Sequence, residues 1–235
     1  MKRLSLNMDL GELAEESEEL YSIATMVNLA CGGHAGDPAS MQRALVLARD
    51  AGARVAAHPS YPDRAGFGRT TMKISAVELE RSLHDQMALL VELGNVLGVT
   101  ITAVKPHGAL YHDAANSNEI AEILLSAIDS ACTKPITLVG PTHGVLMDLA
   151  TKQNNSYERE GFADRTYLPD GSLVPRSHAG ALITEPGRAA AQALRLAFTG
   201  QFETLCVHGD TPGAIEIARA VRRALDDASL LERQS

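Results

Sequence analysis

The sequence predicts an α/β fold of parallel strands joined by helical crossovers, and three observations carry that prediction. Short runs rich in β-branched and small apolar residues alternate with helix-spaced segments; the runs are bounded by Gly or Pro; and strand and helix follow one another along the whole chain. Such a chain either closes as a barrel or stays open as a doubly wound sheet. At 235 residues it is long enough for one α/β barrel domain, and no linker or internal repeat divides it.

The first strand is read in RLSLNMDL, residues 3–10, and the next in MVNLACG, residues 26–32. Asp37 followed by Pro38 has the form of an N-cap with Pro in the first helical turn; Met41, Leu45 and Ala48 then share a face before Gly52 ends the helix. A third strand lies in ARVAAHP, residues 53–59. Ser75 with Glu78 forms a capping-box pattern, and Leu79, Leu83, Met87 and Leu90 continue at helical intervals. TITAVKPH (100–107) is the fourth strand, a helix is expected from Asn116 to Ser130, and ITLVGP (136–141) is the fifth strand. YEREGFAD, residues 157–164, is a more polar strand candidate. A helix from Pro186 to Phe198 precedes the strand TLCVHGD (204–210), and Thr211 with Pro212 is read as opening the last helix, with Ile217, Val221 and Leu225 on its buried face. Two long irregular stretches, 58–72 and 162–181, are read as covers over a site.

Composition excludes several classes. Hydrophobic residues make up 45% of the chain, as in ordinary globular proteins, and the net charge of -8 with no basic stripe argues against nucleic-acid binding. The leading MKRLSLNMDLGE is too short in apolar residues for a signal peptide, and no run approaches the roughly 20 apolar residues of a membrane-spanning helix, so a cytoplasmic location without membrane attachment is expected. Cys31, Cys132 and Cys206 are widely spaced and odd in number, which fits reduced thiols rather than a disulfide framework or a thiolate zinc site.

The strand ends carry the chemistry. The first strand ends at Asp9 and Glu12, the second leads to Asn28 and His34, the third to His58, the fourth to Lys105 and His107, and the last to His208 and Asp210. In a parallel barrel these ends share one face, and an open sheet also binds ligands beyond its carboxyl edge. A single imidazole at a strand end is more often structurally satisfied than catalytic. Four on separate strands are harder to explain that way. Asp37 and Asp210 each precede a Pro and are expected to cap helices. His84, His143 and His178 receive no role, and His112 is read as a loop residue. No P-loop, dinucleotide fingerprint or G-x-S-x-G elbow occurs.

The motifs NMDLGE, NLACGGHAGD, AAHPSYPDRAGFGR, VKPHGALYHD, FADRTYLPDGSLVPRS and LCVHGDTPGA closely resemble, in order, those of the LamB/YcsF family. The resemblance implies a distorted TIM-like (β/α) barrel of seven strands in one domain, related to barrels that deacetylate or hydrolyse carbohydrates. It implies the A-subunit part of a 5-oxoprolinase, which acts with partner subunits B and C to open the lactam of 5-oxoproline to L-glutamate, with ATP as co-substrate bound here or on a partner. Met8, Gly33 and Ser60 depart from the family pattern, LAEESEELYS replaces a Gly-rich aromatic stretch, and the segment between Gly200 and Leu205 is short.

Lactam opening needs an activated water, oxyanion stabilisation and a proton for the departing nitrogen. On this reading Asp9 or Glu12 activates water, Lys105 holds a substrate carboxylate or phosphoryl oxygen, and His58, His107 and His208 share proton transfers. Arg165 and Arg176 close over an anion, and Asn28, His34 and Asp210 complete the substrate contacts. Loss of Lys105 is expected to abolish turnover in a folded chain. A divalent metal stays open: Asp9, His34 and His58 are suitable ligand types, matching the Asp and two His of the related deacetylases, but no H-x-x-x-H or H-E-x-x-H spacing supports them. Two other functions remain in view, a metal-dependent carbohydrate deacetylase-like amide hydrolase and a non-catalytic subunit that binds 5-oxoproline.

Overall fold

A computed structural model describes residues 3–132 and 135–234. Met1 and Lys2, at the head of the leading basic segment, lie outside the described residues. The strands are β1 (Ser5–Leu10), β2 (Met26–Ala30), β3 (Arg54–His58), β4 (Ile101–Val104), β5 (Thr137–Gly140), β6 (Ser156–Phe162) and β7 (Thr204–His208). They pair in chain order, all parallel, and β7 returns to β1 to close a barrel. The closing register sets Asp9 opposite His208 on one side and Asn28 on the other. The polar run YEREGFAD thus contains β6, and the barrel rather than the open sheet is what this sequence forms.

Alternation within β1 explains why a strand with no exposed residue still contains polar side chains. Leu6, Met8 and Leu10 join the apolar layer between strands and helices, whereas Ser5, Asn7 and Asp9 make polar contacts across the strands. Met26, Ala56, Ala103 and Val139 form a separate small apolar cluster contributed by four strands. Ser5, Asn7 and Thr204 are cross-linked by hydrogen bonds of 2.7 and 2.8 Å, so the buried polar groups are mutually satisfied.

The helices are α1 (Glu19–Ile23), α2 (Pro38–Asp50), α3 (Ala76–Leu97), α4 (Gly108–Asn116), α5 (Asn118–Ala131), α6 (Val145–Lys152), α7 (Pro186–Thr199) and α8 (Ala214–Asp227). Asp37 caps α2, and Ser75 with Glu78 forms the capping box of α3, as their spacing predicts. Elsewhere the structure corrects the reading. The helix expected from Asn116 to Ser130 is α5, starting at Asn118 with the Ser117 hydroxyl as its cap, but the helix before it, α4, was not expected. His112 therefore sits on α4 and not in a loop. The last helix starts at Ala214 after Gly213, whose φ of 77° ends the preceding turn. Thr211 does not cap it; its hydroxyl donates to Asp164 at 2.7 Å. Nor does Asp210 cap a helix, since its carboxylate is taken by two arginines. No described helix is long and apolar enough to cross a membrane.

Candidate active site at the carboxyl mouth of the barrel

The mouth holds two polar groups that meet at Asp9. The first is centred on Lys105, which follows β4 and turns into the barrel. Its Nζ lies 2.8 Å from Asp9 Oδ1, 2.8 Å from Glu160 Oε1, 3.3 Å from Asn7 Oδ1 and 3.3 Å from Cys206 Sγ. Asn28 donates from Nδ2 to both Asn7 Oδ1 and Asp9 Oδ1 at 2.7 Å. Burial opposes the charge on Lys105, but Asp9 and its neighbours outweigh that cost and hold the ammonium well above its usual range; burial of Asp9 is likewise outweighed, chiefly by Lys105, and its carboxyl is held well below. Three oxygens thus engage the ammonium, which has three protons to give. Lys105 organises the barrel floor, and Asn28 orients Asp9.

The second group contains Glu12, His34, His58 and His107. Glu12 Oε1 is 2.9 Å from His34 Nε2, 3.4 Å from His107 Nδ1 and 3.7 Å from His58 Nε2. The rings of His34 and His107 stack with centroids 3.6 Å apart and planes 3° from parallel. Burial depresses His34 to about 2 and His107 to about 3, so both rings are neutral at ordinary pH; burial pushes the Glu12 carboxyl up. The first cover loop seals this cluster. Phe67, with a φ of 53°, meets His34 and His107 edge-on, and a Cβ on Gly68 would lie 3.1 Å from both residues. That close approach, together with its φ of 63°, is why glycine stands there.

His208 occupies the remaining side of the mouth. Its Nδ1 is 3.0 Å from both oxygens of Asp164, and the ring stacks on Phe162 with an interplanar angle of 10°. Asp164 also accepts from the His208 backbone N–H at 3.0 Å and from Thr211. Burial alone would raise the Asp164 carboxyl; the His208 ring and these donors reverse that and hold it below its usual range.

Asp9, Glu12, Asn28, His34, His58, Lys105 and His107 therefore form one connected set, with His208 beside it in register with Asp9. The arginines behave differently. Arg165 donates to Val174 O at 2.8 Å within the second loop. Arg176 forks onto Asp210 at 2.6 and 3.1 Å, and Arg69 from the first loop grips the same carboxylate. Asp210 is thus a latch tying the two cover loops together. Sequence reasoning missed Asn7, Glu160 and Asp164. Asp164 follows β6 by two residues, as other site residues follow their strands, and was open to the same argument; Asn7 and Glu160 lie within strands, and only the closed barrel brings them to Lys105.

The latch makes a prediction about acid. Burial raises the Asp210 carboxyl, but the Arg176 hydrogen bond and charge, with Arg69, lower it further than burial lifts it. A folded pKa below the unfolded value of about 3.9 means that its contribution is complete above that value and is lost as pH falls through the lower folded one. Pepsin cleavage within 162–181 should therefore rise as the pH is lowered through that range in the native chain. In Asp210→Ala it should already be fast at the upper end. Equal cleavage of both proteins throughout would remove the latch.

The sequence model of the LamB/YcsF family matches residues 4–234. This chain belongs to the LamB/YcsF family. Other LamB/YcsF-like chains match it end to end: the 5-oxoprolinase A subunit of Nocardia farcinica is 38% identical over 245 residues, covering 97% of each chain, and that of Carboxydothermus hydrogenoformans is 39% identical over 241 residues, covering 96% of this chain and 94% of its own. Among solved structures, the lactam utilization protein from Thermus thermophilus superposes with a TM-score of 0.90 at 36% identity over the whole of both chains. A family 4 carbohydrate esterase from Streptomyces lividans, at 12% identity and a TM-score of 0.54 over 98% of this chain and 91% of its own, shares the fold alone.

Proposed function

We propose that this chain is the A subunit of an ATP-dependent 5-oxoprolinase, a hydrolase of a cyclic amide that converts 5-oxoproline to L-glutamate together with partner subunits B and C. The observation that carries this reading is the end-to-end match, at 38% and 39% identity, to relatives named as the A subunits of 5-oxoprolinases. The buried ionisable groups at one mouth of the barrel supply chemistry suited to it.

In the reaction, a water oxygen bonds to the lactam carbonyl carbon, the ring C–N bond breaks, and the nitrogen leaves with a proton. Transfer of the ATP γ-phosphoryl group to the amide oxygen makes that carbon a better electrophile and lets phosphate depart, so ATP ends as ADP and phosphate. His208 is the group placed to move the protons. Asp164 accepts from Nδ1, which fixes Nε2 as the ring's proton acceptor. Asp164 is thus a positioning residue, and it stabilises the imidazolium formed when Nε2 takes a proton from water. Asp9 and Lys105 hold the floor of the site, and Arg69 and Arg176 close its cover.

The test combines this chain, candidate subunits B and C, ATP and 5-oxoproline, and measures glutamate. Glutamate is expected only in the complete mixture. Release by the isolated chain without ATP would replace this reading with that of a standalone amide hydrolase.

A further inference from the structure

The tautomers of His58 and His107 are fixed from outside, and the consequence inside is unfavourable unless a cation is present. His58 Nδ1 lies 2.7 Å from the carbonyl oxygen of Lys105, and His107 Nε2 lies 2.9 Å from that of Phe67. A carbonyl oxygen only accepts, so each of these nitrogens carries the hydrogen. In neutral rings the lone pairs then sit on His58 Nε2 and His107 Nδ1. These two atoms are 3.0 Å apart. Two acceptors at that distance repel, in a place where both side chains are almost wholly buried. A third imidazole nitrogen, His34 Nε2, and the Glu12 carboxylate oxygen face the same point.

We propose that Glu12, His34, His58 and His107 bind a divalent first-row metal ion of the zinc class, through Glu12 Oε1, His34 Nε2, His58 Nε2 and His107 Nδ1. Three observations support the assignment. First, four ligands about 2.0–2.1 Å from a tetrahedral ion lie about 3.3–3.4 Å from one another, and four of the six separations, 2.9, 3.0, 3.4 and 3.7 Å, scatter around that edge; His34 and His107 stack with their planes 3° from parallel, so one of these two rings turns for both lone pairs to meet the ion. Second, the outer nitrogens of two of the rings already donate to backbone carbonyls, the arrangement by which proteins aim imidazole ligands at a metal. Third, three neutral imidazoles and one carboxylate suit zinc and its first-row neighbours and are poor ligands for magnesium or calcium. The ligands come from the ends of successive strands: Glu12 follows β1, His34 follows β2, His58 ends β3, and His107 follows β4 by three residues. Asp9 is not among the four; its Oδ2 stands 3.5 Å from His58 Nε2 and its Oδ1 is held by Lys105.

The competing cation is a proton. Burial of His58 opposes an imidazolium, but Asp9 outweighs burial and raises the ring above its usual range, and a proton on Nε2 would be shared toward His107. The experiment separates the two. Purified protein is stripped with a chelator, freed of the chelator and titrated with Co²⁺ and then Zn²⁺, with absorption spectra and elemental analysis recorded at each step. About one ion per chain is expected, with the visible bands of a four-coordinate cobalt ion that zinc then displaces. His107→Asn should weaken uptake by more than the roughly 10–100-fold that loss of an outer partner costs. No stoichiometric uptake by the native chain, with ¹⁵N resonances showing His58 doubly protonated at neutral pH, would overturn the proposal. So would undiminished binding by both His107→Asn and His34→Gln. Since the readout is binding and not turnover, failure of uptake would sink this site and leave the 5-oxoprolinase reading standing, which glutamate formation by the complete mixture tests separately.

Discussion

Replacing Lys105 by methionine is expected to destabilise the chain by about 3–5 kcal/mol, the range seen when one partner of a buried ion pair is removed. The ammonium is buried between Asp9 and Glu160 at 2.8 Å each, and Asn7 and Asn28 are arranged around the same oxygens. Methionine fills much of the volume but leaves two carboxyl groups in the barrel without their cation. Water cannot replace the lost charge, because Asp9 and Glu160 are buried as deeply as the lysine. Urea denaturation should show the loss as a lower midpoint at unchanged slope. Adding Glu160→Gln should recover part of it, since one of the uncompensated carboxyls is then gone, and the shortfall from additivity measures the coupling. A single variant within about 0.5 kcal/mol of the native chain would contradict the ion-pair account, because that is the scale of an ordinary surface change.

From the sequence, an ammonium at a strand end reads as a hand extended to an anion, and its loss as a catalytic defect in a folded protein. The three oxygens around Nζ show where the ammonium is already committed. Loss of turnover in a Lys105 variant is therefore expected to accompany loss of fold, and activity alone does not separate the two.

Much of the site was legible because strand ends in a parallel barrel share one face, so Asp9, Glu12, His34, His58, Lys105, His107 and His208 could be gathered without knowing the register. What the pattern could not supply was pairing inside the barrel. Glu160 sits in a strand whose charges Glu158, Arg159 and Glu160 give no sign of which face is buried; the closed register turns Glu160 to Lys105 while Arg54 takes Glu158 and Glu203 takes Arg159. Asp210 misled for a similar reason. An acidic residue two positions before a proline looks like a cap, but the helix was delayed to Ala214 and two loops remote in sequence brought their arginines to the carboxylate. Helix α5 was legible to within two residues at each end, whereas α4 was not, because the polar residues after β4 read as a loop meeting the site.

Asp164→Asn is expected to lower turnover of the assembled 5-oxoprolinase by about 10²–10⁴-fold, the usual contribution of a positioned acid–base group, with the substrate KM little changed. The geometry gives the reason. Asp164 accepts three hydrogen bonds, from His208 Nδ1, from the His208 backbone N–H and from the Thr211 hydroxyl. An amide offers one accepting oxygen and one donating nitrogen, and Nδ1 lies 3.0 Å from both positions, so the imidazole N–H faces the amide nitrogen whichever way it is turned, and in one of the two orientations the backbone N–H faces it as well. To accept from the amide nitrogen, His208 must shift its hydrogen to Nε2, and the nitrogen that would take a proton from water becomes a donor. In either orientation the carboxylate charge that steadies the imidazolium is gone. Thr211→Val serves as the control: it removes one donor to Asp164 but keeps the charge and the ring contact, so turnover should fall far less. A merely structural role for Asp164 predicts parallel losses of stability in both variants and no change in the pH profile of kcat. The catalytic account predicts that only Asp164→Asn alters that profile. Retained turnover in a folded Asp164→Asn would move proton transfer away from His208, and a raised KM with intact ATP hydrolysis would make this chain the one that binds 5-oxoproline for chemistry on its partners.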